Sequence, residues 1–595
     1  MSYQVALSAP ARHELSVTME VPALDQDTCV LAFPVWTPGS YMVRDFSRNV
    51  FELEVTDRQG KPLPVERLEK HRWQVKTGGR PFRVCHTVFA YDPSVRAAYL
   101  DTDRAVLNGT SLFFFVEGHV ERPCTLSIDA PAGWTTSVAL PRKGGKYLAV
   151  SYDELVDSPC AVGKHERYAF RVKGVPFEIA WMGGSNADMD RVVAGVKKIV
   201  QATGTLFGGF PFERYVFLVQ TQPRRGGGLE HAASCTLNVD AMGFGSEAGY
   251  QSFFELVAHE FFHAWNVKRI RDVVLGPFDY GKENYTRLLW FHEGFTDYME
   301  TQLVLRAGLL SLDKFLDDTA KQWRSYVNKP GRNRTPLSEL SFEAWIKQYK
   351  PSEVFTNRAI SYYEKGRWVA FVLDLMMRER TRGRQGVPEL FVWLWNNIAK
   401  AGRSLTASDI LHAANEVGGA DYTSVFARYV DGTDELPFPR LCAHAGLSVE
   451  ARDAAREEKD ALAQRRKRAW AGFTIRGGAS GDAAIVQNVL PDSPAERSGL
   501  SFGDHVVAVA GHKVDATNVF ERIADHDEGA RVKLTFFRDE WLREVEVKLG
   551  RNPDQTFKLS IDPKAGATAR AVLQGWLGLD AQAMEVARGK PARRS

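Results

Sequence analysis

This chain lacks several features, and each absence narrows its range of functions. It has no Cys-x-x-Cys pair. Its six cysteines (Cys29, Cys85, Cys124, Cys160, Cys235, Cys442) are scattered along the sequence. That spacing excludes a zinc knuckle or dithiol redox motif, and it reads as reduced thiols in a cytoplasmic protein rather than a disulfide framework. No unbroken apolar run reaches the roughly 18 residues of a membrane helix, so no membrane span is expected. The opening "MSYQVALSAPARHELSVTMEV" has no apolar core of signal-peptide length. One-sided charge is also missing. With 76 basic against 73 acidic residues the net charge is +3, which gives no electrostatic case for a nucleic-acid partner. The basic run "RRKR" (465–468) reads as solvated linker, and the ending "RGKPARRS" as a disordered tail. No internal repeat is visible.

The 595 residues are too many for one domain, and three or four are expected. The chain changes character along its length. Residues 1–170 hold short, partly alternating segments such as "HELSVTMEV", "FELEV" and "FRVCHTVFAYD", bounded by Gly, Pro and Asp turns. This pattern predicts an N-terminal antiparallel β-sandwich. Across 171–445 the segments lengthen and apolar residues recur at helical spacing, as in "MDRVVAGVKKIVQATGTLF" and "RWVAFVLDLMMRER", so this is read as a mainly helical domain. Residues 446–469 form a charged linker, and strand and turn patterns return over 470–550. The extension 551–595 has only "AVLQGWLGL" able to dock. The expected fold class is multidomain α+β.

The chemistry concentrates in "AHEFFHAWNVKRIRD" (258–272). On a helix His259 and His263 lie on one face, where two imidazoles can share a zinc ion. Glu260 sits beside them and can take a proton from the attacking water. Chance alone gives about 0.3 such histidine pairs in a chain of this composition, and roughly 0.02 once the glutamate is required. An apolar setting penalises unpaired polar groups, which favours the metal reading over an accidental one. A catalytic zinc wants a third protein ligand. Glu293 in "LWFHEGFTDYME" is the best candidate. Asp297 and Glu300 follow on the same helix face, placed to hydrogen-bond a ligand histidine. His292, next to Glu293, faces elsewhere and is expected on the helix surface.

His-Glu-x-x-His followed by Glu-Gly-Phe-Thr resembles the gluzincin metallopeptidases. Nearly the whole chain resembles their glycyl aminopeptidase family, whose members join a β-domain, a thermolysin-like catalytic domain and a PDZ domain. "WTPGSYMVRDFSRNV" (36–50) resembles that family's N-terminal signature. "GGGLEH" (226–231) sits where aminopeptidases carry Gly-x-Met-Glu-Asn, with Leu229 for Met and His231 for Asn. "SYYEKG" (361–366) resembles the segment carrying a catalytic tyrosine. The resemblance implies that Tyr363, rather than Tyr362, donates to the oxyanion. It implies that Glu230 binds the substrate α-ammonium, with Gly227 and Gly228 along the cleft. It also implies one zinc per chain and peptide substrates with a free, small N-terminal residue such as Gly or Ala.

Residues 470–550 read as a PDZ domain in their own right. "WAGF" would form the carboxylate loop, with Gly472 and Phe473 receiving a peptide C-terminus. The competing reading is a docking module that binds no free peptide. The expected function is therefore a zinc-dependent aminopeptidase. Its alternatives are a PDZ-directed endopeptidase and a non-catalytic peptide-binding scaffold with a vestigial metal site.

Overall fold

The computed structural model describes residues 1–454, 464, 468–477 and 482–579. Most of the "RRKR" run and the basic tail lie outside them. The chain divides into two compact units. One holds Met1–Ser311, Val387–Val417 and Leu577–Leu579; the other holds Leu312–Gly386 and Gly418–Trp576.

The first unit begins with β-structure. Its largest sheet has seven strands, and the strand Glu14–Val21 buries Leu15, Val17, Met19 and Val21 while the intervening side chains stay partly open. That is the two-residue period of a sheet with one face on a core. Tyr3, Leu31, Phe33, Trp73, Val84 and Phe114 belong to that core. Pairing is mainly antiparallel as expected, but Ser2–Ala9 also runs parallel to Cys124–Asp129. Two four-stranded sheets complete this region.

A five-stranded sheet follows. Its strand order is Glu166–Val172, Val175–Met182, Tyr215–Gln222, Ser234–Asp240 and Gly227–Glu230. The strand Tyr215–Gln222 is buried at every position, as a parallel strand covered on both faces must be. The helix Met189–Leu206 provides the crossover between two parallel strands, and the Asp188 side chain caps its first turn. Among the described residues Gly227–Glu230 pairs only with Ser234–Asp240, antiparallel, and so forms the sheet edge. The helix Glu247–Phe262 comes next, capped by the Ser246 hydroxyl on the Gly249 N–H.

The second unit contains the helices Leu312–Val327 and Tyr362–Thr381. Its strands Phe473–Arg476, Ala484–Val489, His505–Val509, Arg531–Arg538 and Trp541–Lys548 are consecutive in one sheet. The short helices Pro494–Ser498 and Val519–Ala524 accompany them. Leu447–Asp453 is a strand paired with Gln555–Ile561. The helix Ala567–Leu577 docks through Trp576, whose ring centroid is 5.3 Å from Phe315 and 5.6 Å from Phe371.

Within this unit the strand-rich region is fastened to the helical segment by a reciprocal amide pair. Asn357 donates to Asn488 at 2.9 Å and to the Val489 carbonyl at 2.8 Å, and Asn488 donates back to Asn357 at 2.9 Å. Both amides are buried. Asn488→Ala would leave the Asn357 amide oxygen without its donor in a dry contact, so it is expected to cost about 1–3 kcal/mol. A denaturant midpoint for the second unit equal to wild type would show that the pair contributes nothing.

Candidate metal centre and substrate cleft

The helix Glu247–Phe262 delivers His259 and Glu260, and His263 is its C-cap. The two Nε2 atoms stand 3.0 Å apart. Glu293 arrives from a π-helical turn, Trp290–Gly294. Its Oε2 lies 3.2 Å from His263 Nε2 and 3.5 Å from His259 Nε2. All three side chains are buried.

The outer ring nitrogens explain this crowding. His263 Nδ1 donates to the Asn266 carbonyl at 2.7 Å, which puts its proton on Nδ1 and leaves a lone pair on Nε2. His259 Nδ1 faces Glu300 at 2.9 Å and Asp297 at 3.1 Å, and the same logic applies. Burial works against ionising Glu293, yet His263 and His259 hold its carboxyl well below the usual range. Three electron-pair donors therefore aim at one point. Ligands placed tetrahedrally about 2.0–2.1 Å from zinc stand about 3.3 Å from one another, and the observed 3.0–3.5 Å spacings fit that geometry. The residues present can hold the metal.

Glu260 faces the sheet edge. A Cβ on Gly228 would lie 2.2 Å from Glu260 Oε1, so the edge strand passes bare backbone over this carboxylate. Burial pushes the Glu260 carboxyl up to about 7; His259 and His263 oppose the shift, and Glu230 and Glu293 add to it. Glu230 ends the edge strand, only 4% exposed. Carboxylate oxygens of Glu230 and Glu260 and a ring nitrogen of His263 lie within 4.8 Å of one another. Among the described residues, none donates a hydrogen bond to the Glu230 carboxylate.

Two supports were not legible in the sequence. Asn266 is wholly buried. Its amide donates to the carbonyls of Phe291 (3.2 Å) and His292 (3.1 Å) and to the Thr296 hydroxyl (3.0 Å), and its Oδ1 faces His292 Nδ1 at 3.0 Å. One side chain thus ties the π-turn that presents Glu293 to the carbonyl that orients His263. Contrary to expectation, His292 is buried rather than on the helix surface. The π-turn breaks the regular helical spacing on which that expectation rested, and Asn266 binds the ring. The second support is Asp157. It takes hydrogen bonds from Lys268 (2.7 Å) and the Ala232 N–H (2.8 Å) and lies 3.1 Å from His231 Nδ1. Burial opposes its ionisation, but Lys268 and His231 hold its carboxyl far below the usual range. His231, standing where the resemblance has Asn, thereby anchors the turn behind Glu230. A polar residue in the apolar "HAWNVK" was the one signal that Asn266 left in the sequence.

At the opposite end of the edge strand lies a cavity of about 360 Å³. Its walls include Gly226, Gly227, Val239, Phe244, Phe253 and Leu256. Gly227 sits at φ +125° with open space beside it. The remaining candidates belong to the second unit. Tyr363 is half-buried in the first turn of Tyr362–Thr381, with its N–H on Ser361 Oγ, whereas Tyr362 is buried. Gly472 holds φ +83°, and a Cβ there would meet Ser493 Cβ at 2.2 Å. Phe473 is buried beside Phe520, with ring centroids 5.4 Å apart.

Several known proteins resemble this chain in part or along its length. Family models match residues 2–164 (peptidase M61 N-terminal domain), 252–369 (M61 glycyl aminopeptidase) and 451–549 (PDZ domain). The crystal structure of an aminopeptidase N family protein from Idiomarina loihiensis is 28% identical with a TM-score of 0.88, covering 97% of this chain and 99% of that one. An M1 zinc metallopeptidase from Deinococcus radiodurans is 15% identical with a TM-score of 0.48, covering 74% of this chain and 94% of that one. A probable periplasmic serine protease do/HhoA-like from Haemophilus influenzae is 30% identical over 109 residues. That match is 18% of this chain and 23% of that protein, so the chain spans about a quarter of this curated relative's length. Fold, site and family models together define a metallopeptidase. The chain belongs to the M61 glycyl aminopeptidase family and carries a C-terminal PDZ domain. Family membership implies a metal cofactor and peptide substrates. Among the described residues, no helix is long and apolar enough to cross a membrane.

Asn266→Ala removes the bonds that hold the π-turn while keeping the carbonyl used by His263. It is expected to weaken metal retention about 10- to 100-fold, the usual effect of losing a group that orients a ligand. Competition against a graded chelator measures this, and unchanged retention would show that the π-turn holds Glu293 without Asn266.

Proposed function

We propose that the protein is a zinc-dependent aminopeptidase that removes the first residue, Gly or Ala by preference, from peptides with a free amino terminus. His259, His263 and Glu293 hold one zinc per chain, with Asp297 and Glu300 orienting His259. The ion supplies Lewis-acid activation of the attacking water and the scissile carbonyl. Glu260 takes the proton from that water and passes it to the leaving amine. Tyr363 donates a hydrogen bond to the developing oxyanion; its partial exposure at a helix start supports this assignment over the buried Tyr362.

The observation that carries this reading is Glu230. A carboxylate this buried, beside the base and without a donor, costs several kcal/mol unless a cation reaches it. A substrate α-ammonium is such a cation. An extended peptide adds to the free edge of Gly227–Glu230 through its backbone. With the amine at Glu230, the scissile bond lies over Gly228 and Glu260, and the following residues run toward the apolar cavity near Leu256. The Asn357–Asn488 pair supports a docked PDZ domain, in which Gly472 and Phe473 can receive a C-terminal peptide. Six unpaired thiols, five of them buried, support a reducing, cytoplasmic setting.

Glu260→Gln preserves shape and should keep zinc, yet lower turnover by about 10²–10⁴-fold; near wild-type kcat would assign the base elsewhere. Aminoacyl reporters with free and N-acetylated termini, run with and without chelator, test the exopeptidase reading. Cleavage should need the metal and should strongly favour the free amine. Equal cleavage of acetylated peptides would make the protein an endopeptidase, leaving the zinc assignment intact.

A further inference from the structure

Glu230 is bounded by a turn from the N-terminal β-region. In Thr37–Pro38–Gly39–Ser40 the Ser40 N–H bonds the Thr37 carbonyl at 3.1 Å, and Gly39 sits at φ +87°. Proline second and glycine third with positive φ is the signature of a type II β-turn, whose backbone has little freedom. Arg44 braces it. One guanidinium nitrogen donates to the Met42 carbonyl at 3.0 Å, and another to Ser40 Oγ at 2.9 Å. At the base of the loop Trp36 Nε1 donates to the Asp279 carbonyl at 2.8 Å, and the Val35 N–H to the Tyr280 carbonyl at 2.9 Å. Thr37, Pro38, Ser40 and Tyr41 are buried, and only Gly39 at the tip is partly open.

That tip lies directly on the amine-binding acid. A Cβ on Gly39 would stand 2.5 and 2.6 Å from the two Glu230 carboxylate oxygens and 2.7 Å from Leu229 Cδ1. No side chain fits between the turn and the carboxylate. A peptide laid along Gly227–Glu230 therefore meets a braced backbone wall just past Glu230. The wall occupies the space that any residue or acyl group ahead of the amine would need.

We propose that the Thr37–Ser40 turn is the end wall of the substrate cleft and that Gly39 is its specificity-determining residue. The turn fixes the Glu230 carboxylate and turns away peptides whose first amine is capped or preceded by another residue. This rests on the aminopeptidase reading, in which Glu230 receives the α-ammonium. It adds that exclusion is steric and comes from a different region of the chain, not from the charge of Glu230 alone.

Two substitutions move the wall in opposite senses. Gly39→Ala drives a methyl group into the Glu230 carboxylate. It should lower kcat/KM on a free alanyl reporter about tenfold or more, the scale of one charged hydrogen bond, while bound zinc is unchanged. Arg44→Gln loosens the brace without adding bulk and should raise kcat/KM on the N-acetyl-alanyl reporter. Both therefore narrow the ratio of free to acetylated cleavage. If Gly39→Ala fails to fold, Arg44→Gln alone decides. Wild type that prefers free amines, with variants that keep its full ratio, overturns the wall and leaves the aminopeptidase reading standing. Wild type without that preference fails the aminopeptidase reading itself.

Discussion

Three lone pairs directed at one point inside a dry protein repel one another, and much of the polar structure around this site opposes that repulsion. The two imidazoles are locked by their outer nitrogens, one on the Asn266 carbonyl and one on a pair of carboxylates. Glu293 is held by a π-turn whose carbonyls are bound to the Asn266 amide. Such an arrangement is unfavourable until a cation enters, so metal affinity and local folding draw on the same free energy. Helix boundaries serve the same end. The His-bearing helix stops at Phe262, which leaves His263 at the cap and frees the next residues to turn back toward the π-turn.

The cleft depends on a second constraint, the absence of side chains. Gly228 lets the edge strand touch the Glu260 carboxylate, and Gly39 lets a turn touch that of Glu230. Both carboxylates are approached by main chain, which cannot swing aside as a side chain can. Behind them Asp157, Lys268 and His231 fix the turn that follows the strand. Pre-positioning of this kind holds acids at set distances before any ligand arrives.

Local, periodic features were readable in the sequence. The four-residue spacing of His259 and His263 projects both rings from one face whatever the rest of the chain does. The acid series Glu293, Asp297, Glu300 gave the remaining polar groups. Reasoning from a regular helix failed at His292, because a π-turn changes the angle between neighbours and no propensity marks its onset. Asn266 and Asp157 were out of reach for another reason: their partners include residues 26 and 111 positions away, pairings that only the folded chain creates. The same holds for the β-region. Its strands follow from alternation, but the parallel pairing of Ser2–Ala9 with Cys124–Asp129 joins segments that carry no mark of each other.

The edge strand has one more consequence, for solubility. A free sheet edge is a template on which any extended chain can polymerise, and proteins guard such edges with charge, bulges or shortness. Gly227–Glu230 is four residues long, carries glycine at its first two positions and ends against the Thr37–Ser40 turn. A second molecule seeking to extend the sheet meets four residues of edge and a stop at one end, room to seat the end of one peptide but not to propagate a sheet.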